Sequence, residues 1–156
     1  MKQALILSID GGTQSTKVSF YTSQGECVAS ARDALKPIEF SDNGQAVHPQ
    51  DDLWRSLLSA VQAAYSLVDK RKYYLSVIGL CSIRCCRALL NQQLQLVSPV
   101  MSWMDTRLAS PFVDDDSEVA FVTTASGYLG SRLTDLPVDT AANYEGQWPI
   151  DKQTWQ

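Results

Sequence analysis

A-L-I-L-S-I-D-G-G-T-Q-S-T-K-V-S-F-Y, residues 4–21, reads as two strands and the turn that joins them. Residues 4–9 form a nearly continuous apolar run that stops at Asp10, the pattern of a strand buried on both faces. Asp10-Gly11-Gly12-Thr13-Gln14-Ser15 carries a turn signal. Lys17 to Tyr21 alternates and is predicted as a second strand. Ser23-Gln24-Gly25 turns the chain again, and Cys27-Val28-Ala29 starts a third strand. Turns this short join antiparallel neighbours, so the N-terminal part is predicted as a meander.

Further along, residues 36–48 are polar and irregular, with Pro37, Asn43 and Gly44. Pro49 stands where a first helical position would be, and Asp51 and Asp52 follow, where acids complement the helix dipole. Leu53, Trp54, Leu57, Leu58, Val61, Ala64, Tyr65 and Val68 then recur at helical spacing, with Trp54 assigned to the core. Lys70-Arg71-Lys72 closes that helix. Residues 75–81 (L-S-V-I-G-L-C) read as a buried strand, and residues 87–91 and 96–103 as two more around Gln92-Gln93. Asp114 to Ser117 reads as a solvated acidic loop. Phe121, Val122, Ala125, Leu129 and Leu133 suggest a second helix, and residues 137–156, with Trp148 and Trp155, show no period. Three antiparallel strands, a helix and a fourth strand begin an α/β ribonuclease-H-like fold, a lobe with a mixed sheet and flanking helices.

Composition narrows the function. The 156 residues carry 17 acids and 13 bases, a net charge of -4, so no basic footprint for nucleic acid or an anionic membrane is present. No stretch approaches the roughly 18 apolar residues of a membrane span. The apolar run at 4–9 is too short for a signal peptide and lacks a cleavage site. Cys27, Cys81, Cys85 and Cys86 stand beside a single histidine, His48, which argues against zinc and for reduced thiols in a cytoplasmic protein. Cys85 and Cys86 read as buried or half-buried thiols. His48, just before Pro49, reads as a capping or solvent-facing residue.

The segment from Asp10 to Lys17 carries the chemistry. Gly11 and Gly12 let backbone N–H groups approach an anion. Thr13, Gln14, Ser15 and Thr16 offer polar groups to phosphate oxygens, and Lys17 adds a cation. Asp10, at the end of a buried strand, suits a hydrated Mg²⁺. The same residues also make a plain hairpin turn rich in Gly and Thr, and both readings stand.

The arrangement resembles the FGGY family of carbohydrate kinases, within the actin, hexokinase and heat-shock-70 ATPase superfamily. The resemblance rests on I-D-G-G-T-Q-S-T-K-V at 9–18, H-P-Q-D-D-L-W at 48–54, V-I-G-L at 77–80 and S-P-V-M-S-W-M-D-T-R at 98–107. G-Y-L-G-S-R-L-T at 127–134 and D-T-A-A-N-Y at 139–144 continue it, so it spans nearly the whole chain. It implies ATP-dependent phosphoryl transfer to a sugar or polyol hydroxyl, as in a xylulokinase. Gly11, Gly12, Thr13, Gln14, Ser15 and Lys17 would contact ATP phosphates, and Asp10 would hold Mg²⁺. Arg84 and Trp103 match sugar-binding positions; Arg84 also reads as a surface strand residue. Asp105 and Arg107 read better as an ion pair fixing their loop.

The resemblance also implies what residues 1–156 lack. In the family the base that takes the hydroxyl proton, the second phosphate loop and the adenosine pocket lie further downstream. The chain is therefore expected to be an incomplete N-terminal kinase domain without the C-terminal ATP-binding domain, with no catalytic residue of its own. It is expected to be inactive alone and to form a homodimer through an exposed cleft face. The alternative is a non-catalytic protein of the same fold with residual phosphate binding or an interaction role. Local departures are Ile83 where the family commonly has Gln, a missing glycine near Asn91-Gln92-Gln93, Asp135 at a usual glycine, and a short segment at 108–126.

Overall fold

The computed structural model describes residues 1–110, 112–113, 116–140 and 143. In chain order its elements are β1 (Gln3–Gly11), β2 (Ser15–Thr22), β3 (Cys27–Ala34), β4 (Glu39–Phe40), β5 (Ala46–Val47), α1 (Asp52–Ser66), β6 (Tyr73–Ser82), β7 (Ala88–Leu90), β8 (Phe121–Thr123) and α2 (Ala125–Thr134). A 3₁₀ turn spans Thr106–Ala109. The chain divides into two compact units, residues 1–36 with 52–82, and residues 37–51 with 83–156.

The first unit is a four-stranded sheet in the order β3-β2-β1-β6. β1 to β3 form the predicted antiparallel meander, and β6 returns parallel to β1 after α1. Leu5, Leu7 and Ile9 of β1 stand opposite Thr22, Phe20 and Val18 of β2, so these side chains share one face. All six are buried. α1 packs against β2 and β3 and supplies Leu53, Leu57, Ala60 and Ala64 to the same core. The Phe20 and Tyr65 rings meet at 6.0 Å. Each large side chain enclosed here contributes roughly 1.5–3 kcal/mol of transfer free energy.

Three expectations for this unit need correction. α1 begins at Asp52, not at Pro49, because Gln50 adopts a left-handed φ of 51°, which no helix contains. Trp54 is half-buried: the enclosed stripe runs Leu53, Ser56, Leu57, Ala60, Ala64, and Trp54 sits one position round the helix. β6 is not enclosed. Leu75, Val77 and Ile78 keep 44%, 51% and 42% of their surface exposed, because β6 is an edge strand while α1 lies over β2 and β3.

The second unit holds the antiparallel pairs β4–β5 and β7–β8, with α2 against β7 and β8. Its core gathers Ala46, Cys86, Ala88, Leu90, Val100, Ala125, Tyr128 and Leu129. The strand expected at 96–103 is reduced to isolated bridges, Leu90 to Leu96 and Arg87 to Met101. Pro99, with no N–H, interrupts any ladder there. Phe121 and Val122 belong to β8 rather than to the helix, since Thr124 caps α2: its hydroxyl accepts from the Gly127 amide at 3.1 Å. α2 ends at Asp135, which takes the left-handed cap at φ 56° and donates its amide to Ser131 at 2.8 Å. Leu94 holds a positive φ of 60° in the turn whose glycine is missing. Asp114, Asp115, Trp148 and Trp155 lie outside the described residues. Among those described, no helix is long and apolar enough to cross a membrane.

Because Asp135 occupies a conformation that favours glycine, Asp135→Gly is expected to stabilise the chain by about 0.5–1 kcal/mol, read as a raised urea midpoint. Gly127→Ala should lower that midpoint by roughly 1–3 kcal/mol, since its methyl would strike the Thr123 hydroxyl and the Asp139 carboxylate.

Candidate functional site

The first unit presents its candidate residues at the tip of the β1–β2 hairpin. Asp10 pairs across the strands with Lys17, and Gly11 with Thr16. Glycine is needed at both positions for steric reasons. A Cβ at Gly11 would lie 3.1 Å from Ser82 Oγ on β6, and one at Gly12 would lie 3.2 Å from the Ser15 carbonyl. The loop closes on itself: the Gly12 amide donates to the Ser15 carbonyl at 3.0 Å. That amide is therefore engaged within the turn. The Gln14 carbonyl accepts from the Leu35 amide at 2.9 Å, and Arg32 Nε donates to Ser15 Oγ at 2.7 Å.

Asp10, Thr13, Gln14 and Lys17 are exposed, and Gly12 and Ser15 are half-buried. Thr16 is not part of this surface. Strand alternation turns it inward, where Thr16 Oγ1 lies 2.7 Å from Ser56 Oγ on α1. The exposed set pairs one carboxylate with one cation around a polar turn. No group of three or more His, Cys, Asp or Glu side chains able to hold a metal occurs among the described residues. A single carboxylate is the sparse donor set that Mg²⁺ accepts when substrate phosphates and water complete its shell. Ser82 escaped the sequence reading: its Oγ is buried with no hydrogen-bond partner, against Gly11. Only its place at the end of β6, beside a glycine on β1, marks it.

The second unit holds the other candidates. Arg84 is exposed in a bend after β6 rather than on a strand. Reciprocal backbone hydrogen bonds between Arg87 and Met101, at 3.1 and 2.9 Å, lay the 84–87 segment alongside 101–103. This brings Arg84 and Trp103 onto neighbouring strips of backbone. The Cys86 thiol lies between the two, donating to the Arg84 carbonyl at 3.7 Å. Burial pushes that thiol up to about 12, against the opposing hydrogen bond of the Trp103 backbone. Trp103 keeps 52% of its surface exposed. Cys85, expected to be enclosed, is exposed at a positive φ of 60°. His48, expected at the surface, is fully buried, and its amide donates to the Val100 carbonyl at 2.9 Å.

Asp105 is the anchor of the Trp103 loop. Its enclosed carboxylate accepts from Arg107 Nε at 2.9 Å, Arg107 Nη2 at 2.7 Å, the Arg107 amide at 3.0 Å and the Ala46 amide at 2.9 Å. Burial acts to raise this carboxyl, and the guanidinium and amide hydrogen bonds outweigh it, holding it below the usual range. The ion-pair reading of Asp105 and Arg107 matches this geometry. Asp139 does similar work at the start of α2. Burial opposes its ionisation, yet the hydroxyls of Thr123 and Thr124, the Thr140 amide and the Asn143 side chain keep it below the usual range. Tyr128 is buried and donates to Asp51, which Arg132 also contacts at 3.1 Å. Burial first, and then the Asp51 carboxylate, push the Tyr128 hydroxyl far up.

Comparison with known proteins agrees with this geometry. The N-terminal domain of the FGGY family of carbohydrate kinases matches residues 5–134. The uncharacterized sugar kinase YgcE of Escherichia coli K12 is 44% identical over 155 residues, covering 99% of this chain and 32% of that protein. A xylulose kinase from Rhodospirillum rubrum superposes with a TM-score of 0.73 over 96% of this chain and 38% of its own, at 15% identity, a likeness of fold. The Plasmodium falciparum glycerol kinase, determined with ADP, gives 0.58 over 69% of this chain and 22% of its own, at 25% identity. The chain thus spans about a third of the length of the sugar kinase it matches.

Acid should loosen the Trp103 loop. A carboxyl held below its unfolded value of about 3.9 contributes stability that is present above that pH and lost as pH falls through the folded value. Asp105→Asn is expected to cost roughly 2–3 kcal/mol at pH 7 and to flatten the acid limb of the stability profile, read by denaturant titration between pH 7 and pH 2.

Proposed function

The chain belongs to the FGGY family of carbohydrate kinases, and from that membership we propose that it serves ATP-dependent phosphoryl transfer to a sugar or polyol hydroxyl. The observation that carries the reading is the hairpin tip, where Asp10 and Lys17 face one another across a Gly-Gly turn on a segment that the family match includes. In this reading the polar side chains of Thr13, Gln14 and Ser15, with Lys17, bind the ATP phosphates beside Gly11 and Gly12. Asp10 holds Mg²⁺ through its carboxylate. The ion, when bound, neutralises phosphate charge. Arg84 donates hydrogen bonds to sugar hydroxyls, and Trp103 offers its exposed ring to the apolar face of the sugar. Asp105 and Arg107 act as positioning residues that hold the Trp103 loop.

Transfer breaks the bond between the γ-phosphorus and its bridging oxygen and forms one to the substrate hydroxyl, whose proton must pass to a base. No residue of 1–156 is assigned that role. We propose that these residues form the incomplete N-terminal domain, and that the base and the adenosine-binding domain correspond to the remaining length of the longer relatives, which the chain does not span. A second reading, a non-catalytic protein with residual phosphate binding or an interaction role, is favoured by the uncovered apolar strand β6.

Two measurements test the proposal. Titration calorimetry with MgATP should register binding, and Lys17→Ala should weaken it about tenfold through loss of a charge-assisted contact. Unchanged affinity would remove the hairpin from the site. A coupled assay with pentuloses, hexuloses and glycerol should show no turnover by this chain alone, and clear turnover would refute the division of labour.

A further inference from the structure

β6 conflicts with its own sequence. Ten residues, Y-Y-L-S-V-I-G-L-C-S, contain no charge and no proline, the composition of a strand enclosed on both faces. Its register with β1 sets Leu75, Ile78 and Leu80 on the face of Leu5, Leu7 and Ile9, and Tyr74 and Val77 on the face of Ala4 and Ile6. Both faces are therefore apolar, and both are open: Tyr74, Leu75, Val77 and Ile78 are 51%, 44%, 51% and 42% exposed, and Ile6 beside Val77 is 39% exposed. β6 also ends the sheet, with β1 on one side and no strand on the other. Exposed edges are normally protected by charge, proline, shortness or a covering element, and β6 carries neither charge nor proline and is ten residues long. Its bulge lies near Ser76, leaving Val77–Ser82 in regular register.

We propose that β6 is the contact surface for a second copy of this chain, joined edge to edge in antiparallel register into one continuous eight-stranded sheet. The occupant and its direction follow from charge. A strand without charges places no like pair opposite itself under a twofold axis. Antiparallel pairing sets the exposed basic run Lys70-Arg71-Lys72 of each copy at the Cys81 end of the other, where the exposed Asp10 is the sheet neighbour. Parallel pairing would align the two basic runs. A twofold axis normal to the sheet preserves its faces, so Ile78 and Leu80 meet apolar residues on one face and Val77 on the other. Main-chain hydrogen bonds supply the adhesion and the apolar side chains the burial. The surface is distinct from the hairpin tip and goes beyond the proposed kinase role.

Sedimentation velocity of the whole chain under reducing conditions, across a hundredfold range of concentration, should show a concentration-dependent dimer. Hydrogen exchange at residues 73–82 should slow as the dimer forms. Val77→Lys and Ile78→Lys, both at half-exposed positions, are expected to raise the dimer dissociation constant at least about tenfold while circular dichroism stays unchanged. Phe40→Lys, at an exposed apolar residue of the second unit, should leave it unchanged. A monomer at every concentration would overturn the proposal. So would a dimer indifferent to both β6 substitutions, or exchange at 73–82 that does not depend on concentration.

Discussion

The pairing of β1 with β6 is the constraint on which the first unit depends. β1 is a central strand, and its antiparallel partner β2 is set locally by a tight turn. The parallel partner is different, because its ladder closes only after the chain has passed through α1. That closure orders residues far apart in sequence and brings the end of β6 against the end of β1. Gly11 is the point of closest approach, where a side chain would press on Ser82. Both chain segments that carry candidate chemistry in this region, the Asp10 turn and the exit towards Arg84, start from this junction.

In the second unit the corresponding role falls to buried carboxylates. Asp105 ties the Arg107 guanidinium and the Ala46 amide together, while Asp139 gathers the hydroxyls and amide that begin α2. Each is costly to enclose and keeps its charge because hydrogen-bond donors surround it. Such groups hold short, irregular segments where regular secondary structure is scarce. The exposed Trp103 ring is presented by a loop of this kind, so its availability rests on the anchor beneath it rather than on a strand.

The readings that failed did so for a common reason. Periodicity identified α1, but the enclosed stripe depends on which face meets β2 and β3, and Trp54 falls beside it. The apolar character of residues 96–103 resembled a strand, yet Pro99 leaves only isolated bridges. Phe121 and Val122 fit a helical spacing but were claimed by pairing with Leu89 and Leu90. Thr16, read as one more phosphate contact, points inward to Ser56 because a residue in a strand alternates sides. The missing glycines at Leu94 and Asp135 were legible, and the backbone there still takes the left-handed turn.

By itself the sequence determined the β1–β2–β3 meander, the helix that follows, the Gly-Gly turn between Asp10 and Lys17, and the family to which these belong. Those features are written in local spacing, turn residues and short motifs, which need no distant partner to be recognised. Only the tertiary structure decided that Cys86 and His48 are enclosed while Cys85 is exposed, that Ser82 lies against Gly11, and that Arg84 and Trp103 lie on adjacent strips of backbone. It also decided that β6, apolar enough for a sheet interior, stands at an edge. Burial and strand order are properties of contacts between remote segments, and no local pattern contains them.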